Sequence, residues 1–587
     1  MLQPRSRWLF PIPVAVPPSL VDAGHELDLG PRVVGLLVAR GVTLPDDLRR
    51  FLGDPARSLH DPALLPDAAR FLARIETARN RGERVMVFGD FDADGITGLS
   101  ILTLGLRRFG VDAVPYVPSR LDEGHGLSLA AVAAAREQGA AAIITVDTGS
   151  SSVREVEVAN AAGIDVLITD HHHVPPVLPA AHAIVNPHRP DSTYPDDRLA
   201  GSGVAFTLAR LLLGEAALGF SDLAAIGTVA DLAPILGENR AIVQLGLERL
   251  RSAPRPGIAA LFAAAKLVPA AVDLETLAFA VAPRLNAAGR VGEAFDAARL
   301  LLSEDPEEAQ ALAGVLDAAN VTRRDLMKTA IADARTSPDA VDDAAATIVK
   351  GSWPVGIVGL VASRLAEERG KPAIVGAELG EIVRASCRSA GGLHLADALE
   401  ACSDLLLRHG GHAGAAGFEI EAAKWPAFRE RFIAIAEAAA PPDPTPSIAL
   451  DLALRARDVD YALHRDLQKL APCGAGNPEP LVAVLGLTVT KVRATGDGGH
   501  TSLVLKRRLD VLDGIAFGWP ELATQVAEGD VIDVVAQLRS RRFGGIESLQ
   551  LEIRDAAPSG HHPEARAILE MAPVAVGPGA AIGLATA

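Results

Sequence analysis

The sequence predicts an α/β protein: a doubly wound parallel sheet, then a second, smaller α/β domain and a C-terminal OB-like β-barrel. Three short, mainly apolar runs, at residues 84–88, 142–146 and 164–169, have the β-forming character of buried parallel strands. Alanine-rich helical stretches separate them, so strand and helix alternate. Each run is followed within two residues by an acidic residue. Because doubly wound sheets gather their ligands at the carboxyl ends of the strands, we expect a site there.

The first run leads into three carboxylates at alternate positions, Asp90, Asp92 and Asp94, followed by Gly95. Unpaired, they would repel one another, so a positive ion is expected among them. Oxygen ligands held close together suit Mg²⁺ or Mn²⁺ better than zinc. A solvated acidic turn and a calcium loop are the alternatives. An EF-hand loop needs a glutamate at its twelfth position, and counting from Asp90 that residue is Ile101.

The second and third runs add further metal-binding residue types. The second is followed by Asp147, and the third by Asp170, His171 and His172. Three strands that each deliver an acid to the same sheet edge favour a metal site over a chance acidic turn.

Charge and cysteine usage exclude several classes of protein. The formal net charge of the 587 residues is −17, from 56 Lys and Arg against 73 Asp and Glu, which disfavours a non-specific polyanion binder. Nucleic-acid contacts must therefore come from local basic clusters. Cys387, Cys402 and Cys473 are isolated and indicate neither disulfides nor zinc. No apolar run reaches the length of a membrane span, so we expect a soluble, cytoplasmic protein without membrane partners.

Composition and periodicity divide the chain into six segments, with a stiff proline-rich linker at residues 441–446 as the clearest boundary. The predicted segments are a helical lead-in (1–80), the first α/β domain (81–265), a helical connector (266–344), the second α/β domain (345–440), the barrel (447–556) and a flexible tail (557–587).

A small five-stranded barrel is predicted from alternating runs at residues 485–492, 501–506, 531–538 and 548–553, separated by glycine-rich breaks. Basic residues on an OB-like barrel suit a path for a single-stranded nucleic acid. An ordinary exposed strand face is the alternative. The basic residues are Lys491, Arg493, Lys506, Arg507, Arg508, Arg539, Arg541 and Arg542.

Four further stretches have open interpretations from their residues alone. Asp231 ends a predicted helix over residues 221–231, where an acid is usually just exposed. The turn at 283–290 could bind phosphate or break a helix. Residues 384–389 and 410–417 could present donors to an anion or could pack helices tightly.

The motifs at residues 89–95, 145–149 and 170–172 resemble those of the DHH phosphoesterase superfamily, and within it the single-strand-specific exonucleases. The resemblance continues at residues 59–62, 231–234, 286–290, 359–364, 410–412 and 474–480. It implies a DHH catalytic domain, a DHHA1-like substrate-binding domain, and 5′-to-3′ hydrolysis of single-stranded DNA with two Mn²⁺ or Mg²⁺ ions. It also implies work in DNA repair and recombination, beside a helicase and a single-strand-binding protein.

The resemblance also implies roles for individual residues. Asp147 would bridge the two ions, Asp90 would support the cluster, and His172 would lie close to the scissile phosphate. The expected metal ligands are Asp92, Asp94, Asp147, His171 and Asp231. The expected substrate-binding residues are Arg120, Asn286, Arg290, Ser386, Arg388 and His412.

The chain departs from the family pattern at His125, Pro354 and Cys387, and we expect none of these to touch a metal ligand. Two other functions are compatible with parts of the pattern. One is a hydrolase of short oligonucleotides, cyclic dinucleotides or pyrophosphate, which would lack the lead-in and barrel. The other is a noncatalytic scaffold like the DHH-like subunits of replicative helicases, which lose acidic ligands that this chain keeps.

Overall fold

The computed structural model describes residues 2–570 except 121, 340–343, 391, 440–444, 497, 508–509 and 544–545. It divides into two compact units. One consists of Met1–Ser58 together with Thr445–Ala587, and the other is Leu59–Pro444. Arg508, most of the proline-rich linker and the tail beyond residue 570 lie outside the described residues, as do the side chains of Arg507 and Arg542.

The N-terminal stretch contains one short strand and three helices, each helix opening with proline, whose fixed φ suits the first helical position. The elements are β1 (Arg7–Leu9), α1 (Pro18–Glu26), α2 (Pro31–Ala39) and α3 (Pro45–Leu52).

The first α/β domain is a five-stranded parallel sheet in the order β3-β2-β4-β5-β6. Its elements are α4 (Ala68–Arg81), β2 (Arg84–Gly89), α5 (Ala93–Phe109), β3 (Asp112–Tyr116), α6 (Leu129–Glu137), β4 (Ala140–Val146), α7 (Val153–Ala161), β5 (Asp165–Thr169) and β6 (Ala183–Val185). Alternate residues of β2 enter opposite cores, Val85 and Val87 on one face and Met86 and Phe88 on the other. Burial on both faces explains why the runs are mainly apolar, and the predicted parallel sheet is confirmed.

A helical region follows the sheet. It contains α8 (Gly201–Leu213), α9 (Ser221–Ala230), α10 (Gly237–Ser252), α11 (Pro256–Ala264), α12 (Leu274–Thr276), a π-helical segment (Leu277–Val281), α13 (Ala282–Val291), α14 (Ala294–Leu302) and α15 (Pro306–Thr336). Among the described residues, only Gly201–Ala230 is long and apolar enough to cross a membrane by length and composition. A 3₁₀ segment interrupts that stretch at Gly214–Phe220, and most of α8 and α9 is buried in the core.

The second α/β domain has a mixed sheet in the order β10-β11-β9-β8-β7, in which only β7 and β8 run parallel. Its elements are β7 (Thr347–Gly351), α16 (Val355–Arg369), β8 (Ala373–Leu379), β9 (Ile382–Arg388), α17 (Leu395–Glu400), β10 (Leu406–Gly411), β11 (Ala415–Glu421) and α18 (Trp425–Ala439).

The C-terminal stretch forms the expected barrel. Its elements are β12 (Ser447–Ala449), β13 (Leu452–Arg455), α19 (Tyr461–Gln468), β14 (Val482–Ala494), β15 (Thr501–Arg507), β16 (Asp510–Ala516), α20 (Leu522–Gln525), β17 (Val531–Phe543), β18 (Ile546–Pro558) and α21 (Pro563–Glu570). Strands β14, β15, β16, β18 and β17 pair in sequence, and pairing of β14 with β17 closes the ring. The predicted five-stranded barrel is confirmed.

The N-terminal helices belong to the barrel's unit, so a single lead-in over residues 1–80 is wrong in its boundary. Leu20, Val34 and Leu48 from α1, α2 and α3 share one core with barrel residues. Helix α4 belongs instead to the core of the first α/β domain. The expected flexible tail also begins too early, since α21 is helical and the carbonyl of Leu569 accepts a hydrogen bond from Arg455 (2.9 Å).

Glu238, in the first turn of α10, is a buried carboxyl that joins distant parts of the larger unit. Its Oε1 accepts a hydrogen bond from the His60 backbone N–H (3.1 Å), and its Oε2 accepts one from the Tyr194 hydroxyl (2.6 Å). The Arg210 guanidinium lies 3.6 Å from Oε1. Burial raises the pKa of Glu238 to about 7, because the interior disfavours the ionised form.

We expect Glu238→Gln to gain stability relative to the unsubstituted protein as pH rises. A folded-state pKa above the ordinary value stabilises the fold fully below the unfolded pKa, and that stabilisation is lost as pH rises through about 7. Glutamine cannot ionise, so the difference in unfolding free energy should shift by about 3 kcal/mol between acidic and mildly alkaline pH. Thermal unfolding of both proteins across this range measures the shift. A difference independent of pH would contradict the prediction.

Candidate metal centre

The first carboxylates of the site are held by the junction between β2 and α5. The Asp92 side chain caps α5 by accepting hydrogen bonds from the backbone N–H groups of Asp94 and Gly95, both at 3.0 Å. Asp90 is buried and accepts one from the Phe91 N–H (2.8 Å). Alternate acids are therefore fixed by the tight strand-to-helix turn rather than spread along an exposed loop.

Asp94 is oriented by the start of another helix. Its two carboxylate oxygens accept hydrogen bonds from the backbone N–H groups of Gly201 (2.7 Å) and Ser202 (3.0 Å) at the start of α8. Gly227 of α9 lies so close that a Cβ there would be 2.5 Å from Asp94 Oδ1. The carboxylate is thus fixed on two sides by backbone.

Asp147 follows β4 in the left-handed region, with a φ of 62°. This conformation is strained for a residue with a side chain, and strain of this kind concentrates at functional sites. A Cβ on Gly201 would lie 2.7 Å from Asp147 Oδ1, so glycine is required for the close approach of α8.

His171 brings the acids together. Its Nε2 lies 3.0 Å from Asp147 Oδ1 and 3.9 Å from one carboxylate oxygen each of Asp94 and Asp231. Asp231 reaches this point from the C-terminal end of α9. Both His171 Nε2 and Asp147 Oδ1 are buried without a hydrogen-bond partner. A cation between such converging atoms would satisfy them.

The electrostatics of the cluster fit a divalent cation. Burial, and then the neighbouring carboxylates, raise the pKa of Asp147 well above its ordinary value, that of Asp92 to about 6 and that of Asp231 to about 8. Burial lowers the pKa of His171, which favours the neutral form that ligates metals. Among the described residues, three groups could hold an ion: Asp147, His171 and His172; Asp94, His171 and Asp231; Asp90, Asp92 and Asp147.

His172 is held at the rim by Asp170. Its Nδ1 donates to Asp170 Oδ1 (2.8 Å), while 56% of its side chain is exposed. This hydrogen bond raises the pKa of His172 to about 9. Burial would raise the pKa of Asp170, but hydrogen bonds from His172 and Ser150 hold it below its ordinary value. Asp170 therefore supports His172, a role that the sequence alone did not reveal.

Two expected phosphate ligands border the cluster. The Arg120 guanidinium lies over the Phe91 ring, 4.0 Å from its centroid, and its Nε is buried without a partner. Arg290 donates to the Gly356 carbonyl (2.9 Å). Burial, and then Arg120, lower the pKa of Arg290 to about 9. An anion beside these guanidiniums would offset the cost of burying them.

The other expected substrate-binding residues are placed differently. Arg388 donates to the hydroxyl of Ser363 (3.1 Å), and Ser386 lines a cavity of about 340 Å³ in the second α/β domain. His412 is exposed beside the β10–β11 turn, which its backbone N–H closes by donating to Ala415 (2.8 Å). Asn286 uses its Oδ1 to accept a hydrogen bond from the Ala93 N–H (2.8 Å). This hydrogen bond positions the start of α5. The Asn286 Oδ1 therefore contacts the protein backbone and not the expected substrate.

The expectation that no departure from the family pattern touches a metal ligand is wrong for His125, which contacts Asp90. Its Nδ1 lies 2.9 Å from Asp90 Oδ2, and its ring packs on Phe91 at 4.5 Å. Pro354 is the N-cap residue of α16, and Cys387 is buried in β9. Position along the chain gave no sign of the His125 contact, because 35 residues separate it from Asp90.

Three family descriptions match this chain. "DHH family, N-terminal domain" matches residues 84–228, "DHHA1 domain" matches residues 342–438, and "RecJ OB domain" matches residues 450–555.

Curated relatives match most of the chain. The single-stranded-DNA-specific exonuclease RecJ of Bacillus subtilis is 36% identical over 566 residues, which cover 95% of this chain and 72% of that protein. The protein of the same name from Escherichia coli is 33% identical and covers 92% of this chain and 98% of its own length.

Solved structures of RecJ proteins also match this chain. RecJ from Thermus thermophilus in complex with Mn²⁺ has a TM-score of 0.79 at 31% identity, covering 95% of this chain and 81% of that one. The same protein has also been solved with Mg²⁺, with a TM-score of 0.73. An exonuclease RecJ bound to manganese matches at 37% identity with a TM-score of 0.57, covering 65% of this chain and 96% of that one.

Proposed function

The chain belongs to the RecJ family of single-stranded-DNA-specific exonucleases, and from that premise we propose that it removes nucleotides from the 5′ end of single-stranded DNA. The observation that carries the proposal is the convergence of His171 Nε2 and Asp147 Oδ1, buried without hydrogen-bond partners among further carboxylates.

We assign two divalent cations, Mn²⁺ or Mg²⁺, to this cluster. When bound, such ions neutralise phosphodiester charge and lower the pKa of a bound water. Asp147 is the proposed bridging ligand because it belongs to two of the candidate groups, and Asp90 supports the cluster beside it. The proposed ligands are Asp92, Asp94, Asp147, His171 and Asp231.

His172 has the properties of a group that acts on the scissile phosphate. With a pKa of about 9 it is protonated at neutral pH, and Nδ1 is already committed to Asp170. Its Nε2–H is therefore left to donate to a phosphate oxygen, or to pass a proton to the leaving 3′ oxygen.

The half-buried guanidiniums of Arg120, Arg290 and Arg388 are the proposed contacts for the phosphates of the strand. Arginine binds phosphate with two donors in one plane, and burial strengthens each contact. Ser386 and His412 extend the proposed contacts within the second α/β domain. Because its substrate is single-stranded DNA, we propose that the protein works with a helicase and a single-strand-binding protein. We place this work in DNA repair and recombination in the cytoplasm.

Cleavage of end-labelled strands tests the proposal. A single strand labelled at its 5′ end, incubated with Mn²⁺, should release labelled mononucleotide at once, whereas a 3′-labelled copy should shorten progressively. A duplex of the same sequence with blunt ends should persist. Release of label first from the 3′ end would overturn the direction, and no cleavage of either strand would overturn the function.

Residues 59–444 alone are expected to cleave short strands but to bind long strands more weakly than the whole chain. This unit has its own core and keeps every proposed metal ligand. It lacks the exposed barrel residues Lys491, Arg493 and Lys506. Arg539 is not an equivalent free cation, since it donates to Glu479 (2.7 Å). We expect a shallower dependence of affinity on salt, because fewer phosphates are neutralised.

A fragment that starts at residue 1 and ends at residue 444 would be less suitable for this experiment. Helices α1, α2 and α3 would lose the barrel core on which they pack. The fragment 59–444 should therefore be compared with the whole chain on short and long strands at several salt concentrations. Equal affinity and equal salt dependence on long strands would show that the barrel is not a DNA path.

A further inference from the structure

Leu232 follows the proposed ligand Asp231 in a position that usually belongs to glycine. Helix α9 ends in a Schellman motif, in which Leu232 N–H donates to Val229 and Ala233 N–H donates to Thr228, both at 3.2 Å. The motif places Leu232 in the left-handed region, with a φ of 59°. Glycine is the common residue there because it lacks the Cβ that makes this conformation strained.

The fold gains little from a leucine at this position. Leu232 is 73% exposed, so burial does not compensate for the strained backbone. Ala233, the next residue, is only 6% exposed, so the fold buries the residue after Leu232 and not Leu232 itself. A bulky aliphatic residue that is both strained and exposed contributes little to folding. Its role is therefore a contact with another molecule, as is common for strained residues at functional sites.

The surroundings of Leu232 suggest what it touches. Asp231 places a carboxylate oxygen 3.9 Å from His171 Nε2, so Leu232 stands at the rim of the acidic cluster. The groups described there, Asp94, Asp147, His171 and His172, are polar. A nucleotide whose phosphate enters this cluster also brings nonpolar surface, the face of its base and the carbons of its sugar.

We propose that Leu232 is a substrate-positioning residue that packs against the nonpolar surface of the nucleotide whose phosphate lies in the cluster. The inference rests on the proposed function, since it names a contact for the same site. An aliphatic contact makes no demand on base identity, which suits an enzyme that must accept each nucleotide of a strand in turn.

Two substitutions separate the side chain from the backbone. Leu232→Gly removes the side chain and relieves the strained φ, whereas Leu232→Ala removes most of the side chain and keeps the strain. We expect both to raise KM for a single strand about tenfold with kcat changed by less than about threefold. The thermal midpoint of Leu232→Gly should equal or exceed that of the unsubstituted protein, and that of Leu232→Ala should not rise.

Lys266→Gly is a matched control. Lys266 occupies the same position after α11, with a φ of 57°, and its Schellman motif has the Leu267 N–H donating to Phe262 (2.9 Å). Relief of strain there should raise the thermal midpoint without changing KM or kcat. The rise in thermal midpoint on adding Mn²⁺ should be the same for Leu232→Gly as for the unsubstituted protein, which would show that Asp231 remains in place.

Unchanged KM in both Leu232 variants would overturn the inference. A lower thermal midpoint of Leu232→Gly would also overturn it, because it would show that the leucine stabilises the fold. These outcomes are read against cleavage by the unsubstituted protein. Absence of that cleavage would instead be a failure of the proposed function.

Discussion

Replacing Asp147 with alanine is expected to reduce cleavage of single-stranded DNA by several powers of ten while leaving affinity for the strand within about tenfold. Each factor of ten in rate corresponds to about 1.4 kcal/mol of activation free energy. Asp147 belongs to two of the three groups that could hold an ion, so its loss should loosen both proposed cations. The proposed phosphate contacts of Arg290 and Arg388 are made by other elements and remain.

The Asp147→Ala protein should be folded and no less stable without metal. Burial and four neighbouring carboxylates raise the pKa of Asp147, so removing its carboxyl relieves repulsion in the metal-free protein. Alanine keeps the Cβ and therefore the strain at φ 62°.

The measurement pairs cleavage rate with affinity for the same labelled strand and checks folding by circular dichroism. Asp28→Ala is a suitable control, since Asp28 has a φ of 51° and its exposed side chain is remote in sequence from the cluster. Near-normal cleavage by a folded Asp147→Ala protein would show that the metal centre is misplaced.

The acidic edge of the sheet was predictable because its determinants are local. Strands β2, β4 and β5 are mainly apolar because both of their faces are covered, and each side chain of interest follows its strand directly. Parallel strands then bring residues 90, 147 and 171 to one edge, whatever the details of packing. Asp231 is different: it arrives at the end of a helix, and only the resemblance to a family singled it out.

Contacts between distant segments were not predictable from local pattern. Trp8 donates its Nε1–H to Asp555 (2.9 Å) across 547 residues, and nothing in residues 1–58 indicates that they complete the barrel's unit. Strand β16 was missed because Asp510, Asp513 and Gly514 interrupt its apolar alternation. Side-chain roles such as Asn286 on Ala93 and His125 on Asp90 depend on close packing that no periodicity encodes.

Removal of divalent metal is expected to abolish cleavage, and its return should raise the thermal midpoint of the protein. The ligand set consists of carboxylates and one imidazole, which suit Mn²⁺ and Mg²⁺. A ligand that binds only the folded state stabilises it by about 2.7 kcal/mol at a concentration 100 times its Kd. Full activity in EDTA after exhaustive dialysis would remove the two-metal account.

The response to Mn²⁺ should grow with pH, and its sign follows from the raised pKa values. In the metal-free protein, Asp92 with a pKa of about 6 and Asp231 with a pKa of about 8 take up protons as pH falls. Protonation of these two carboxyls stabilises the metal-free fold fully when the pH is below their ordinary pKa. That stabilisation is lost as pH rises through about 6, the pKa of Asp92, and then through about 8, the pKa of Asp231. Metal binding requires the ionised carboxylates, so protons compete with the cation.

Asp147→Asn provides the decisive comparison for this response. Asparagine tolerates the left-handed φ and keeps the shape of the side chain, but it cannot supply the bridging charge. We expect the variant to be at least as stable as the unsubstituted protein in EDTA and to gain much less from Mn²⁺ at every pH. If Mn²⁺ raised the thermal midpoint of both proteins equally, the stabilising ion would be bound elsewhere. Loss of the central carboxylate must weaken the binding of a cation at this cluster.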